Sequence, residues 1–104
     1  MSMAKMKVLE ELLRSPDEPR YGYELMRATR VKSGSLYPIL DQLQASRWLV
    51  AKWEDLDEQA AGRPPRRWYR LTDTGKTAAP AAIHSYRKRR DGNIMGSWLP
   101  RTAT

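Results

Sequence analysis

The sequence predicts an α+β fold, mostly α, and three observations carry that prediction. Apolar residues recur at helical spacing in several segments, clearest in Leu36, Ile39, Leu40 and Leu43, which fall at i, i+3, i+4 and i+7. One segment, Leu49 to Glu54, alternates apolar and charged residues as a half-buried strand does, and Arg67–Leu71 reads as its partner. Two of the helical segments are joined by only four residues, Arg30 to Ser33, the spacing of a helix-turn-helix. A length of 104 residues favours one compact domain with a modest core.

The first helix covers residues 4–14, with Met6, Leu9 and Leu13 on one face and Val8 and Leu12 widening it. Pro16 and Pro19 break the chain after it, because each disfavours helix in the residue before. A second helix runs from about Tyr21 to Thr29, anchored by Leu25 and Met26, with Tyr23 expected in the core. The third covers about residues 33–46 and takes Ser33 or Ser35 as its cap. Pro38 then lies in or just beyond the first turn, where a missing N–H costs less than the ~3 kcal/mol of mid-helix.

In the first strand Leu49, Ala51 and Trp53 should face inward, and in the second Tyr69 and Leu71. Between them Asp55 to Arg66 reads as a long polar loop ending in Gly62-Arg63-Pro64-Pro65-Arg66-Arg67. Thr72 caps a fourth helix with Asp73 in its first turn. Pro80 is expected to kink or restart that helix, leaving its firm part at about 80–90, and Asp91-Gly92-Asn93 to stop it. Ile94, Met95, Trp98 and Leu99 form an apolar cluster beyond. These elements divide the chain into 1–76 and a C-terminal helix and tail, 77–104.

Charge narrows the function. Residues 1–62 hold nine Lys/Arg against ten Asp/Glu, whereas residues 63–104 hold ten against two, so the net +7 is concentrated in the C-terminal part. Such asymmetry points to a polyanion: nucleic acid or an anionic membrane surface. Cysteine is absent, which excludes disulfides and thiolate metal sites and suits a reducing, cytoplasmic setting. No stretch of 18 apolar residues suggests a membrane span. The single histidine, His84, has no second ligand at metal-binding spacing, and no phosphate loop or nucleophile elbow is present. Neither an enzyme nor a cofactor or metal site is expected.

The chemistry that remains lies at the start of the third helix and in the loop arginines. A helix tip of small polar residues with outward N–H groups is suited to entering a DNA groove. Ser33 and Ser35 suit phosphate or base-edge hydrogen bonds, Tyr37 and Pro38 apolar contact with a thymine methyl, and Arg63, Arg66 and Arg67 phosphates or the minor groove. With Lys32 these are the candidate DNA-binding residues.

Helix, helix-turn-helix, two-stranded wing and C-terminal helix is the order of a winged-helix domain. The chain resembles the PadR family of transcriptional regulators, in its small single-domain branch, over about residues 6–76. The likeness rests on Tyr21-Gly22-Tyr23-Glu24-Leu25, Ser33-Gly34-Ser35-Leu36-Tyr37-Pro38-Ile39-Leu40, Trp53-Glu54, Gly62-Arg63-Pro64, Arg67-Trp68-Tyr69-Arg70-Leu71-Thr72 and Gly75. The resemblance implies a homodimeric repressor on an inverted-repeat operator, with 1–76 as its DNA-binding domain and 77–104 serving dimerisation; Tyr21, which matches the tyrosine opening the family's second helix, joins the DNA-binding candidates. Its recognition helix would enter the major groove, and its basic wing, about 55–67, would lie on the backbone or minor groove. It also implies a small planar hydrophobic effector held at the dimer interface, for which Ile83, Tyr86, Met95 and Trp98 are the candidates; plain dimer packing or a core plug is the alternative for Trp98. Three positions depart from the family pattern. Arg30 and Arg47 stand where it has glycine, which forces each toward positive φ or reroutes the turn, and Gln44 replaces a glutamate. Two other readings compete: a winged-helix protein-interaction module without DNA binding, supported by exposed Trp68 and Trp98, and a single-strand or RNA binder using the aromatics as stacking platforms.

Overall fold

The computed structural model describes the backbone of residues 1–98 and the side chains of residues 1–91. Its elements, in order, are α1 (Met3–Arg14), β1 (Arg20–Tyr21), α2 (Gly22–Thr29), α3 (Ser33–Ala45), β2 (Leu49–Trp53), α4 (Glu58–Ala61), β3 (Arg67–Leu71) and α5 (Asp73–Trp98). The three strands form one antiparallel sheet in the order β1-β3-β2. This is the mostly helical winged helix-turn-helix that the sequence predicts. Among the described residues no helix is long and apolar enough to cross a membrane.

The core joins the inward faces of α1, α2 and α3 to the sheet and to α5. Leu36, Ile39, Leu40 and Leu43, the stripe read from the sequence, are all buried. They meet Met6, Val8, Leu9 and Leu12 of α1, Leu25 of α2, Leu49, Tyr69 and Leu71 of the sheet, and Ala79 and Ile83 of α5. Burying each large aliphatic side chain contributes roughly 1.5–3 kcal/mol. The recognition helix is therefore fixed from behind, and its polar tip is left outside.

Several expectations are corrected. No serine caps α3: the cap is Lys32, whose carbonyl accepts the N–H groups of Ser35 (3.0 Å) and Leu36 (2.8 Å). Starting the helix one residue earlier makes Ser33 its first residue and leaves both serine side chains exposed. Tyr23 is exposed at 41%, not core, because the inward face of α2 is set by Leu25, Met26 and Thr29 and Tyr23 lies off it. Trp53 does not face inward either. It is 66% exposed, since the outer end of β2 runs past the helices that cover Leu49.

The polar loop holds a short helix, α4, capped by Asp57, whose side chain accepts from the backbone N–H groups of Gln59 and Ala60. Gly62 ends it at φ 69°, a left-handed conformation that suits glycine. A third strand, β1, escaped the sequence reading; it pairs Arg20 with Tyr69 and Tyr21 with Trp68. Finally, α5 is one helix from Asp73 to Trp98, neither restarted at Pro80 nor stopped at 91–93. Proline removes one backbone hydrogen bond, and an interior glycine costs about 1 kcal/mol, and neither alone outweighs the packing of Ala79 and Ile83.

Thr72 caps α5 as expected. Its hydroxyl accepts from the Gly75 N–H (3.0 Å) and donates to the Arg47 carbonyl (2.6 Å). Gly75 sits against the Trp48 backbone, where a Cβ would collide with the Trp48 carbonyl. Arg30 and Arg47 do adopt positive φ, 61° and 62°, at about 1 kcal/mol each.

Candidate nucleic-acid interface

The start of α3 presents a continuous exposed stretch, Lys32, Ser33, Gly34 and Ser35, followed by exposed Tyr37 and Pro38. Tyr37 keeps 40% of its surface free, while the other side of its ring lies against Gly22. A Cβ on Gly22 would come within 2.6 Å of the Tyr37 hydroxyl, so the glycine at the start of α2 is what lets the ring sit there. Pro38 has no N–H to give the Gly34 carbonyl one turn back, and Gly34 is exposed.

The wing reaches the same face through aromatic contacts. The Tyr21 and Tyr23 rings stack, with centroids 5.8 Å apart and planes 11° from parallel. The Arg66 guanidinium lies 5.0 Å from the Tyr23 ring centroid, and that of Arg67 5.8 Å from the Trp53 centroid. Arg67 also donates to Gln44 Oε1 of α3 at 3.2 Å, linking wing and recognition helix directly. Tyr21, Gly22, Tyr23, Tyr37, Arg66, Arg67 and Tyr69 together line one cleft of about 230 Å³.

Glu54 holds this arrangement together. Its carboxylate accepts two bonds from Arg63 (2.7 and 3.2 Å), the backbone N–H of Arg66 (2.8 Å) and the Tyr21 hydroxyl (3.1 Å). The Arg63 guanidinium, then the Arg66 amide, lower its pKa to about 2, and the hydrogen bond to Glu54 raises the pKa of Tyr21. Arg63 therefore departs from the free probe expected of it. Its guanidinium is engaged internally, and what it does is hold the base of the wing.

Of the candidate DNA-binding residues, the structure brings Tyr21, Tyr37, Arg66 and Arg67 to one cleft and leaves Lys32, Ser33, Ser35 and Pro38 exposed along the start of α3. Sequence reasoning missed Tyr23, Gln44, Trp53 and Glu54. Trp53 had a usable signal, since strand register sets it opposite Arg67. Trp68, cited as exposed for the protein-docking reading, is half-buried with the Arg70 guanidinium 5.7 Å from its ring centroid.

Ile83 is buried against this chain's own core and Tyr86 packs beside it. The side chains of Met95 and Trp98, and Leu99 altogether, lie outside the described residues. Between α1 and α5 runs an open groove of about 420 Å³ lined by Glu10, Leu13, Arg14, Pro80, Ile83, His84 and Arg87. Among the described residues no group of three or more His, Cys, Asp or Glu could hold a metal ion.

A three-helix core with a helix-turn-helix and a sheet-built wing gives the chain the winged-helix fold. The profile of the transcriptional regulator PadR-like family matches residues 8–81, and the chain belongs to that family, which is one of regulators and not of enzymes. No curated protein matches it in sequence. Among solved structures it is similar to a PadR-like transcription factor from Bacteroides fragilis, at 23% identity and TM-score 0.66, covering 89% of this chain and 88% of that one. It is similar also to a PadR family regulator from Clostridium difficile R20291, at 21% identity and TM-score 0.68, covering 95% and 100%. A third likeness is to BpsR of Bordetella bronchiseptica, whose DNA binding is regulated by 6-hydroxynicotinic acid; identity is 15%, TM-score 0.67, and coverage 98% of this chain and 66% of that one.

Proposed function

We propose that this chain is a homodimeric repressor that binds an inverted-repeat operator. The start of α3 enters the major groove with Ser33, Ser35, Tyr37 and Pro38 toward the bases, while Tyr21, Lys32, Arg66 and Arg67 take phosphates. The observation that carries this reading is the shared cleft, in which Tyr37 of the recognition helix and two wing arginines face the same side. Arg63 supports the wing through Glu54 and makes no direct contact. The long α5 is the dimerisation element. A small planar hydrophobic ligand releases the DNA from a seat on the α1–α5 groove, whose Leu13, Pro80 and Ile83 offer an apolar wall beside Arg14 and Arg87.

Selection of bound duplexes from a random pool tests the reading, with a two-fold symmetric consensus as the expected result. Affinity for that consensus should fall steeply with salt, each contacted phosphate adding roughly −0.9 to the log–log slope. Recovery of single strands, or a slope near zero, would end it.

A further inference from the structure

Two exposed arginines hold left-handed backbone conformations in which glycine would rest without strain, Arg30 at φ 61° and Arg47 at φ 62°. They bracket α3 and differ in what surrounds them. Arg30 closes α2, its N–H donating to the Met26 carbonyl at 2.8 Å. The turn around it is tied by Thr29, whose hydroxyl donates to the Leu25 carbonyl (2.5 Å) and accepts from the Val31 N–H (3.2 Å). The Arg30 N–H is thus engaged, while its side chain enters no ion pair among the described residues.

We infer that Arg30 is a further phosphate contact of the DNA interface, an inference that rests on the duplex reading above. The guanidinium returns little to the fold, since a screened interaction with the carboxyl end of the α2 dipole is all the turn offers it. Its position gives it another use. Three residues span at most about 11 Å, so the Arg30 Cα lies within that distance of Ser33, with exposed Lys32 between them. A planar fork of donors there takes two oxygens of the phosphate flanking the groove that α3 enters. Arg47 has the same backbone strain at the other end of a 13-residue helix, about 20 Å away, and serves as the internal control.

The test compares Arg30→Gly, Arg30→Lys and Arg47→Gly with the wild-type chain. Thermal midpoint is measured, together with affinity across a salt series for a mixed-sequence duplex three helical turns long. Both glycine variants should raise the midpoint by about 4 °C or more as strain is relieved. Arg30→Gly alone should weaken binding severalfold and flatten the log–log slope by about 0.9 per subunit, while Arg30→Lys keeps the slope. A wild-type slope in Arg30→Gly, or an equal flattening in Arg47→Gly, overturns the inference and leaves the duplex reading standing. Salt-independent binding by the wild type overturns both.

Discussion

The recognition helix and the wing reach the same cleft by opposite routes. The start of α3 is held from behind by a buried stripe, and Ser33 and Ser35 stand exposed without capping the helix. In the wing almost every functional group is already engaged within the chain: Arg66 lies over Tyr23, Arg67 over Trp53, and Arg63 is bound to Glu54. Large flexible cations held on aromatic faces lose less freedom when a phosphate arrives. The helix tip needs no such help, because its side chains are short and its backbone is already fixed. The lesson is that the helix supplies a shape and the wing supplies prepositioned charge.

Replacing both Arg66 and Arg67 with alanine should have the largest effect on binding. Duplex affinity should fall about 10- to 100-fold, and the log–log salt slope should flatten by about 1.8 per subunit, for all sequences alike. Loss on one sequence only would mean that the wing reads bases. Gly22→Ala should come next: the new methyl displaces the Tyr37 ring, and affinity should fall by about tenfold while circular dichroism stays that of the wild type. A silent result would remove Tyr37 from the interface.

Ser33→Ala and Ser35→Ala should leave thermal stability within about 0.5 kcal/mol, because neither side chain caps the helix. Discrimination between selected and random duplexes should nevertheless narrow. A stability loss typical of a missing cap would restore the serine-cap expectation. The smallest effect concerns acid. Glu54 has a folded-state pKa near 2 against an ordinary 4.5, so its contribution is complete above the higher value and is lost as pH falls from about 4.5 to 2. Hydrogen exchange in the wing should therefore be unchanged near neutrality and should quicken across that acid window, and in Glu54→Gln it should already be fast at neutral pH.

How much was legible follows the same division. Helices with an apolar stripe could be read because periodicity encodes them, and α1, α2 and α3 fall within a residue or so of their expected spans. Thr72 was legible for a local reason, a cap, and the two positive-φ arginines through the resemblance, which puts glycine at both places. Features that depend on partners distant in sequence were not. Strand β1 is two residues long and exists only because β3 lies beside it. Trp53 follows the alternation of a buried strand in a place where nothing covers it. Arg63 looked like its neighbours in the sequence, and only Glu54, opposite it at the wing base, separates their roles. The continuity of α5 through Pro80 was hidden because a local penalty is visible in sequence and the packing that outweighs it is not.

The short α4 has a consequence for direction. Asp55, Asp57 and Glu58 sit exposed where it joins β2, while Arg66 and Arg67 lie at the return of the same hairpin. One projection therefore carries acidic residues on its outgoing side and basic residues at its return. Within a Debye length of about 8 Å a polyanion is pushed off the first and drawn to the second. On the duplex reading, that difference would turn an approaching strand toward the tyrosines before any base is met.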